Sequence, residues 1–384
     1  MEAVVVSAVR TAVAKEAGAL RELHAYQFGA AVIREAVRRA GIDPEEIDDV
    51  IFGNCFAGGG NFARLALLEA GLPMRVTGLT IDRQCGTGMN AINLAAQAIM
   101  AGCGEVYVAG GAESMTRRPY LMARPTKSFQ RTPPEFFTPR LSTEAIGNPS
   151  MGITAENLAE KYQISREEQD EFAFHSQRKM AKAMREGRFK EQILPLEVPD
   201  GKETRLFDTD EHPRETTLEG LAKLKPVFKP GGTVTAGNSS GINDGAAALV
   251  LMSRRRAEQL GLQILGTVRA MAVAGVDPNI MGIGPVPTVR KLLKQNGLRI
   301  EDIDLIEINE AFAAQVLACD RELHFDPERL NVNGGAIAHG HPIAATGAIL
   351  ATKLLYEMKR TDAKLGLLTA CVGGGQGIAT LFER

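Results

Sequence analysis

Cys85 opens a segment built for chemistry. In DRQCGTGMNAINLAAQAIMAG (Asp82–Gly102), glycines give way to Met89, Ile92, Ala96 and Ile99 at helical spacing. A thiol on the turn entering that helix meets unsatisfied N–H groups and the positive end of the helix dipole, which favour a thiolate and hence a nucleophile. Gly86 and Gly88 leave room beside it for another backbone or a ligand. A second segment, GGAIAHGHPIAATGAILATKLL (Gly334–Leu355), has the same design. Its Gly-rich approach ends at His341, Pro342 suits a first helical turn, and an apolar helix follows. Imidazole titrates near working pH, so a histidine placed there suits a base.

A duplication relates the two segments. GIDPEEIDDVIFGNCF (Gly41–Phe56) aligns without a gap with GLRIEDIDLIEINEAF (Gly297–Phe312), an offset of 256 (297 less 41), and the same offset carries Cys85 to His341. Two similar halves packed about a pseudo-twofold axis bring equivalent loops face to face, so cysteine and histidine are expected in one pocket. That is an enzyme's arrangement more than a binding module's.

The elements that must position these residues alternate in type. VVVSAV (Val4–Val9), DDVIFG (Asp48–Gly53) and EVYVAGG (Glu105–Gly111) predict strands, and Ala25–Ala40 and Arg64–Ala70 predict helices. In the second half ILGTVRAMAVAG, DLIEIN and GLLTACVGG predict strands and Val286–Asn296 a helix. Such alternation implies an α/β fold, and the repeat implies two α/β units. From about Thr116 to Asn243 the composition shifts to the Pro-rich, basic RRPYLMARPTKSFQRTPPEFFTPR and the charged helix SREEQDEFAFHSQRKMAKAMREG, with Ser165 and Glu168 as its capping box. This block has no counterpart in the second half and reads as an insertion over the site. The expected division is therefore a core half at 1–115, completed by about 244–266, an inserted loop domain at 116–243, and a second core half at 267–384.

Composition bounds the partners. At 384 residues and 45% hydrophobic the chain holds two or three domains with large cores. A net charge of −2 and the lack of tryptophan give no support to a nucleic-acid partner or an anionic membrane surface. Five widely spaced cysteines without a CxxC pair argue against a disulfide framework and for reduced thiols in a cytoplasm. MEAVVVSAVRTAV reads as a first strand rather than a signal peptide, and the longest uncharged stretch, Gln84–Gly104, is too rich in Gly, Gln and Asn for a membrane span. A soluble cytoplasmic protein is expected.

Five strings carry a resemblance. DRQCGTGMNA, TVTAGNSSGINDGAAA (Thr233–Ala248), NEAFA (Asn309–Ala313), NVNGGAIAHGHP (Asn331–Pro342) and CVGGGQG (Cys371–Gly377) resemble, in order and spacing, segments of the thiolases, the acetyl-CoA acyltransferases. The likeness covers essentially the whole chain. It implies the thiolase fold, a duplicated five-layer αβαβα core with two sheets around shared central helices, and makes the insertion the loop domain that holds coenzyme A. It implies CoA-dependent cleavage of 3-ketoacyl-CoA to acetyl-CoA and a shortened acyl-CoA, or the reverse condensation to acetoacetyl-CoA. CoA is then a substrate, with no metal or redox cofactor, and the protein a homodimer or homotetramer whose tetramerisation loop would lie in Leu121–Leu141.

The resemblance also implies roles. Cys85 is the acylated nucleophile, His341 takes its proton and later that of CoA, and Cys371 handles the α-proton of acetyl-CoA. The N–H groups of Cys85 and Gly373 form one oxyanion hole, and His341 with a water held by Asn309 forms another. Ser240 and Ala236 flank the pantetheine, Phe228 and Met151 line its tunnel, Arg214 lies near the adenine, and Ala311, Phe312 and Met281 shape the acyl pocket.

Plainer readings compete. Cys55, Cys103 and Cys319 read as buried inert thiols, and Asn309 as a buried structural residue is the alternative for that position. His339 and His341 form an HxH pair without a third ligand at a recognisable spacing, and His339 stands where the family is usually apolar. A ketoacyl synthase-like enzyme of the same fold would lack Cys371, and a catalytically silent acyl-CoA-binding relative need not retain Cys85, His341 and Cys371 together. Two departures bear on the acyl chain. Ser150 stands where a histidine is common, and Ala344 where glycine follows GHP and one apolar residue. A lost imidazole vacates more volume than a methyl fills, so a medium-chain preference is expected.

Overall fold

The computed structural model describes residues 1–57, 59–129 and 133–384. Nine strands build the core: β1 (Ala3–Thr11), β2 (Asp49–Gly53), β3 (Thr77–Ile81), β4 (Val106–Ser114), β5 (Asn243–Ser253), β6 (Gly266–Gly275), β7 (Leu305–Ile308), β8 (Leu365–Val372) and β9 (Gln376–Glu383). Its helices are α1 (Ala25–Ala40), α2 (Phe62–Glu69), α3 (Thr87–Ala101), α4 (Met151–Lys161), α5 (Arg166–Arg185), α6 (Pro285–Asn296), α7 (Ala313–Leu323) and α8 (Ile343–Thr361).

The strands run in the order β7-β8-β9-β6-β1-β5-β4-β2-β3. Read outward from the middle, β1-β5-β4-β2 mirrors β6-β9-β8-β7, with the parallel pair β2–β4 matching β7–β8. Among the described residues, the two sheets are joined edge to edge through Val4↔Thr267 and Val5↔Gly266. The duplication read from Gly41 and Gly297 is thus a duplication of sheets.

Strand β5 shows how sequence sets the layers. All eleven of its residues are buried. Alternate side chains point to opposite faces: Ala246, Ala248, Val250 and Met252 pack with Phe28, Val32 and Ile33 of α1, while Ala247, Leu249 and Leu251 pack with Ile92 of α3 and Ile349 of α8. That inner cluster also takes Leu368, Ala370 and Val372 from β8, so α3 and α8 lie between the two sheets. On the far side, Leu367 and Leu381 pack against Leu292 of α6 and Val316 of α7. The result is five layers, αβαβα.

Helix boundaries follow local signals. Helix α1 ends at Gly41, whose φ of +67° suits glycine, and α5 starts on the Ser165–Glu168 capping box. Helix α2 begins earlier than the periodicity predicts, because Asn61 caps it through Arg64 N–H. Between β4 and β5 lie α4, α5 and two small hairpins, Leu121–Met122 with Phe136–Phe137 and Leu196–Asp200 with Glu203–Phe207. Arg10 ties this segment to β1 through two bonds to Asp210, at 2.7 and 3.0 Å, both side chains buried. Of the Leu121–Leu141 stretch, residues 130–132 lie outside the described residues. Among the described residues no helix is long and apolar enough to cross a membrane.

Candidate active site

Cys85 sits in a 3-10 turn, Gln84–Gly86, that runs straight into α3. Gln84 holds a φ of +44°, sparsely populated for a side chain that is not glycine. Asp82 Oδ1 accepts its N–H at 2.7 Å and Thr87 Oγ1 accepts that of Arg83 at 2.8 Å, so the turn is held from both sides. Gly86 presses on the other half: a Cβ there would lie 2.8 Å from Ile378 and 2.9 Å from Val372. Burial pushes the Cys85 thiol up to about 11, against the pull of the N–H groups of Gly373 and of Cys85 itself. The thiolate expected from the helix terminus is therefore not the resting form. Desolvation outweighs the dipole.

His341 follows Gly340, whose φ of +96° is open only to glycine. Thr346 Oγ1 lies 2.7 Å from His341 Nδ1, and Asn243 Oδ1 accepts the His341 N–H at 3.0 Å. Nε2 is buried and has no hydrogen-bond partner among the described residues, and burial lowers the imidazole to about 4. It is a neutral base at working pH.

The duplication sets their relation. Helices α3 and α8 cross with backbones in near contact, a Cβ on Gly88 falling 2.8 Å from Ala344 O. Gly88 and Ala344 each stand three residues past Cys85 and His341, and they are equivalent under the repeat. The pseudo-twofold axis therefore runs by the two helix starts.

Cys371 is the penultimate residue of β8, buried and paired with Gly377 of β9. Burial raises its thiol well above the usual range, and the nearby Cys85 thiol adds to the rise. It packs with Met281, Ala311, Phe312, Ala155, Val234 and Met151 in one cluster. Phe228 crosses Phe312 edge to face at 6.1 Å, Ser240 N–H donates to Ala311 O at 3.0 Å, and Arg214 Nη2 donates to Ala236 O at 3.2 Å. Met281, Ala311, Phe312 and Met151 thus adjoin Cys371, Phe228 and Ser240 lie one contact further out, and Arg214 and Ala236 form a separate pair. Asn309 directly follows β7 and is wholly buried, with neither side-chain amide atom partnered among the described residues.

Residues 3–255 match the thiolase N-terminal domain and residues 262–384 the thiolase C-terminal domain. The chain belongs to the thiolase family. It is 50% identical to the acetyl-CoA acetyltransferase of Pseudomonas aeruginosa over 390 residues, covering all of this chain and 99% of that one. The Bacillus anthracis acetyl-CoA acetyltransferase superposes with a TM-score of 0.95 at 46% identity, covering 100% of this chain and 98% of that chain. Human mitochondrial 3-ketoacyl-CoA thiolase superposes at 0.94 and 39% identity, covering 100% and 99%.

Within this thiolase several sequence readings need correction. Cys103, expected as a buried thiol, is exposed, and Cys55 is only part-buried, its Sγ 3.2 Å from Asp82 Oδ1 and 3.4 Å from Thr87 Oγ1. Cys319 alone of the three is buried, donating to Gly282 O. Ser150 is exposed at the start of α4, and Ala344 belongs to the helix crossing, its N–H held by Glu113.

Glu113 escaped sequence reading. Its buried carboxylate accepts N–H groups from Cys55, Phe56 and Ala344, tying the loop after β2 to the start of α8. Burial pushes it up to about 7. Thr346 and Asn243 escaped too, although both lie inside the recognised strings. Only a through-space contact marks them.

Proposed function

We propose that this thiolase cleaves 3-ketoacyl-CoA with CoA, and in reverse condenses acetyl-CoA to acetoacetyl-CoA, through an acyl group carried on Cys85. One observation supports the reading: the turn that bears Cys85 packs against the segment that follows Cys371, a Cβ on Gly86 falling 2.9 Å from Val372 and one on Gly373 falling 3.8 Å from Gln84.

His341 Nε2 takes the Cys85 proton as sulfur attacks the 3-keto carbon. The oxyanion forms opposite the N–H groups of Cys85 and Gly373. When the C2–C3 bond breaks, its electron pair passes to C2 and Cys371 supplies the proton there, releasing acetyl-CoA. Protonated His341, with a water held by Asn309, faces the thioester oxygen of that leaving group. His341 then returns a proton to Cys371, takes the proton of incoming CoA, and delivers it to Cys85 as the acyl group moves to CoA. A raised thiol pKa suits Cys371, which must begin as an acid.

Residues 116–243 cover the CoA site in this reading. Pantetheine runs beside Ser240 and Ala236 between Phe228 and Met151. A hollow of about 670 Å³ lined by Gln177, Arg178, Arg214, Thr217 and Gly237 supports the nucleotide lying there. The projecting hairpin leaves Tyr120, Phe136 and Phe137 at 90%, 72% and 52% exposure, which supports a homo-oligomer formed there. Five free cysteines support a reducing cytoplasm.

Thiolysis of acetoacetyl-CoA, followed at the enolate absorbance, tests the reading. Wild type should turn over with added CoA and Cys85→Ser should not; an active Cys85→Ser enzyme would refute it.

A further inference from the structure

Asn243 begins β5 and is wholly buried at the junction of three parts of the chain. Its Oδ1 accepts the backbone N–H of His341 at 3.0 Å, and its Nδ2 donates to Ala14 O at 2.9 Å. A backbone N–H can only donate and a carbonyl only accept, so these two partners fix which way the amide faces. Nδ2 also lies 3.4 Å from His212 Nδ1. That ring nitrogen must therefore be the unprotonated one.

The amide fits a space nothing larger could share. A Cβ on Gly340 would fall 2.3 Å from the Asn243 side-chain carbon, and a Cβ on Gly241 would fall 2.1 Å from the His212 ring. Ile242 bridges His341 in the manner of a parallel strand. His212 is itself seated, because its neighbours Asp210 and Glu211 bind Arg10 and the N–H groups of Lys15 and Ala19. Asn243 thus joins the first core half, the inserted segment and the loop that carries His341.

We infer that Asn243 is a positioning residue for His341. Gly340 gives the preceding backbone freedom that no side chain restrains, and Thr346 holds only the ring. The amide holds the peptide from which the ring is hung, with His212 as its second anchor. The inference rests on His341 acting as the base.

Asn243→Asp keeps an acceptor for the His341 N–H, removes the donor to Ala14 O and places a carboxylate beside the histidine. Assayed in the full-length enzyme with acetoacetyl-CoA and CoA, kcat per acylatable Cys85 should fall roughly 100-fold and KM should stay within about threefold. The acidic limb of kcat/KM should move to higher pH, since a nearby carboxylate favours imidazolium. A residue serving only the fold would lower the folded fraction, leaving kcat per acylatable site and the pH limb unmoved; that result overturns the inference. If Asn243→Asp does not fold, His212→Leu and His212→Gln decide. Leu, which cannot accept from Nδ2, should lower kcat about tenfold, and Gln should restore most of it; wild-type kcat in His212→Leu overturns the inference. His341→Ala is the control: a wild-type rate there would refute the base itself, whereas an inactive His341→Ala beside a wild-type Asn243→Asp would refute only the positioning.

Discussion

Thr346 Oγ1 lies 2.7 Å from His341 Nδ1 and 2.9 Å from Pro342 O. A hydroxyl has one proton, and the carbonyl, which can only accept, claims it. Thr346 therefore accepts from Nδ1–H, and the lone pair of the neutral imidazole is left on Nε2, which has no partner among the described residues.

Thr346→Val should then lower kcat/KM for thiolysis by about 10- to 100-fold, the usual effect of losing an orienting partner behind a working histidine, while Thr346→Ser stays close to wild type. Steady-state kinetics on the two variants distinguish a tautomer effect from simple repacking. Equal losses in both would contradict it.

The resting thiol gives Cys85 a distinctive pH profile. With a pKa near 11, only about one Cys85 in ten thousand is ionised at pH 7. Iodoacetamide labelling of Cys85 should climb through pH 9–10 with no plateau below pH 8. Acylation by acetoacetyl-CoA should already be fast near pH 7, because His341 removes the proton during attack. His341→Ala should slow acylation about 100-fold or more and leave the labelling profile nearly unchanged. Peptide mass spectrometry across pH reads both.

His339 is 1% exposed, and among the described residues neither ring nitrogen makes a hydrogen bond of good geometry, the Gly340 backbone offering a weak one. Burial lowers its pKa well below 6.5, with Lys353, Arg10 and His212 adding to the effect. An unpaired buried polar group costs about 1–3 kcal/mol, so His339→Leu should raise the unfolding free energy by a similar amount near pH 7 without loss of kcat. The sign with pH is fixed. The unfolded histidine binds a proton below about 6.5 while the folded one does not, so its contribution falls as pH drops, by up to about 1.4 kcal/mol per pH unit. The advantage of His339→Leu should grow from pH 6.5 downward, and urea unfolding at pH 7 and pH 5 measures it.

Chain length is the test of Ser150. It stands next to Met151, which packs by Cys371 and Gly373. A shorter side chain there should widen the approach, giving a higher kcat/KM for six- to eight-carbon 3-ketoacyl-CoA than for acetoacetyl-CoA, with Ser150→His reversing the order. Each methylene accommodated is worth about 1–3 kcal/mol. A sharp optimum at four carbons in the wild type would refute this.

What the sequence made legible was periodic or repeated. Helix α1 is found at Ala25–Ala40 because its apolar spacing and Gly41 stop mark it, and the equivalence of Gly88 and Ala344, where two helices cross, follows from one constant offset. What it hid was set by distant segments. Asn243 and His341 are 98 residues apart and Glu113 and Ala344 are 231 apart, so no local pattern joins them. The desolvation of Cys85 stays hidden for the same reason. A helix terminus can be read in a sequence, but the desolvation imposed by the other half of the molecule cannot.

The central claim is the division of labour between the two cysteines, and one labelling experiment addresses it. Cys371→Ala is incubated with acetyl-CoA in deuterium oxide, and mass spectrometry reads both the Cys85 peptide and the recovered acetyl-CoA. The account predicts an acetyl group on Cys85 and no deuterium at the α-carbon, because attack on a thioester needs no enolate proton whereas exchange needs Cys371. Undiminished α-deuteration, or an acetyl group on another cysteine, would contradict it.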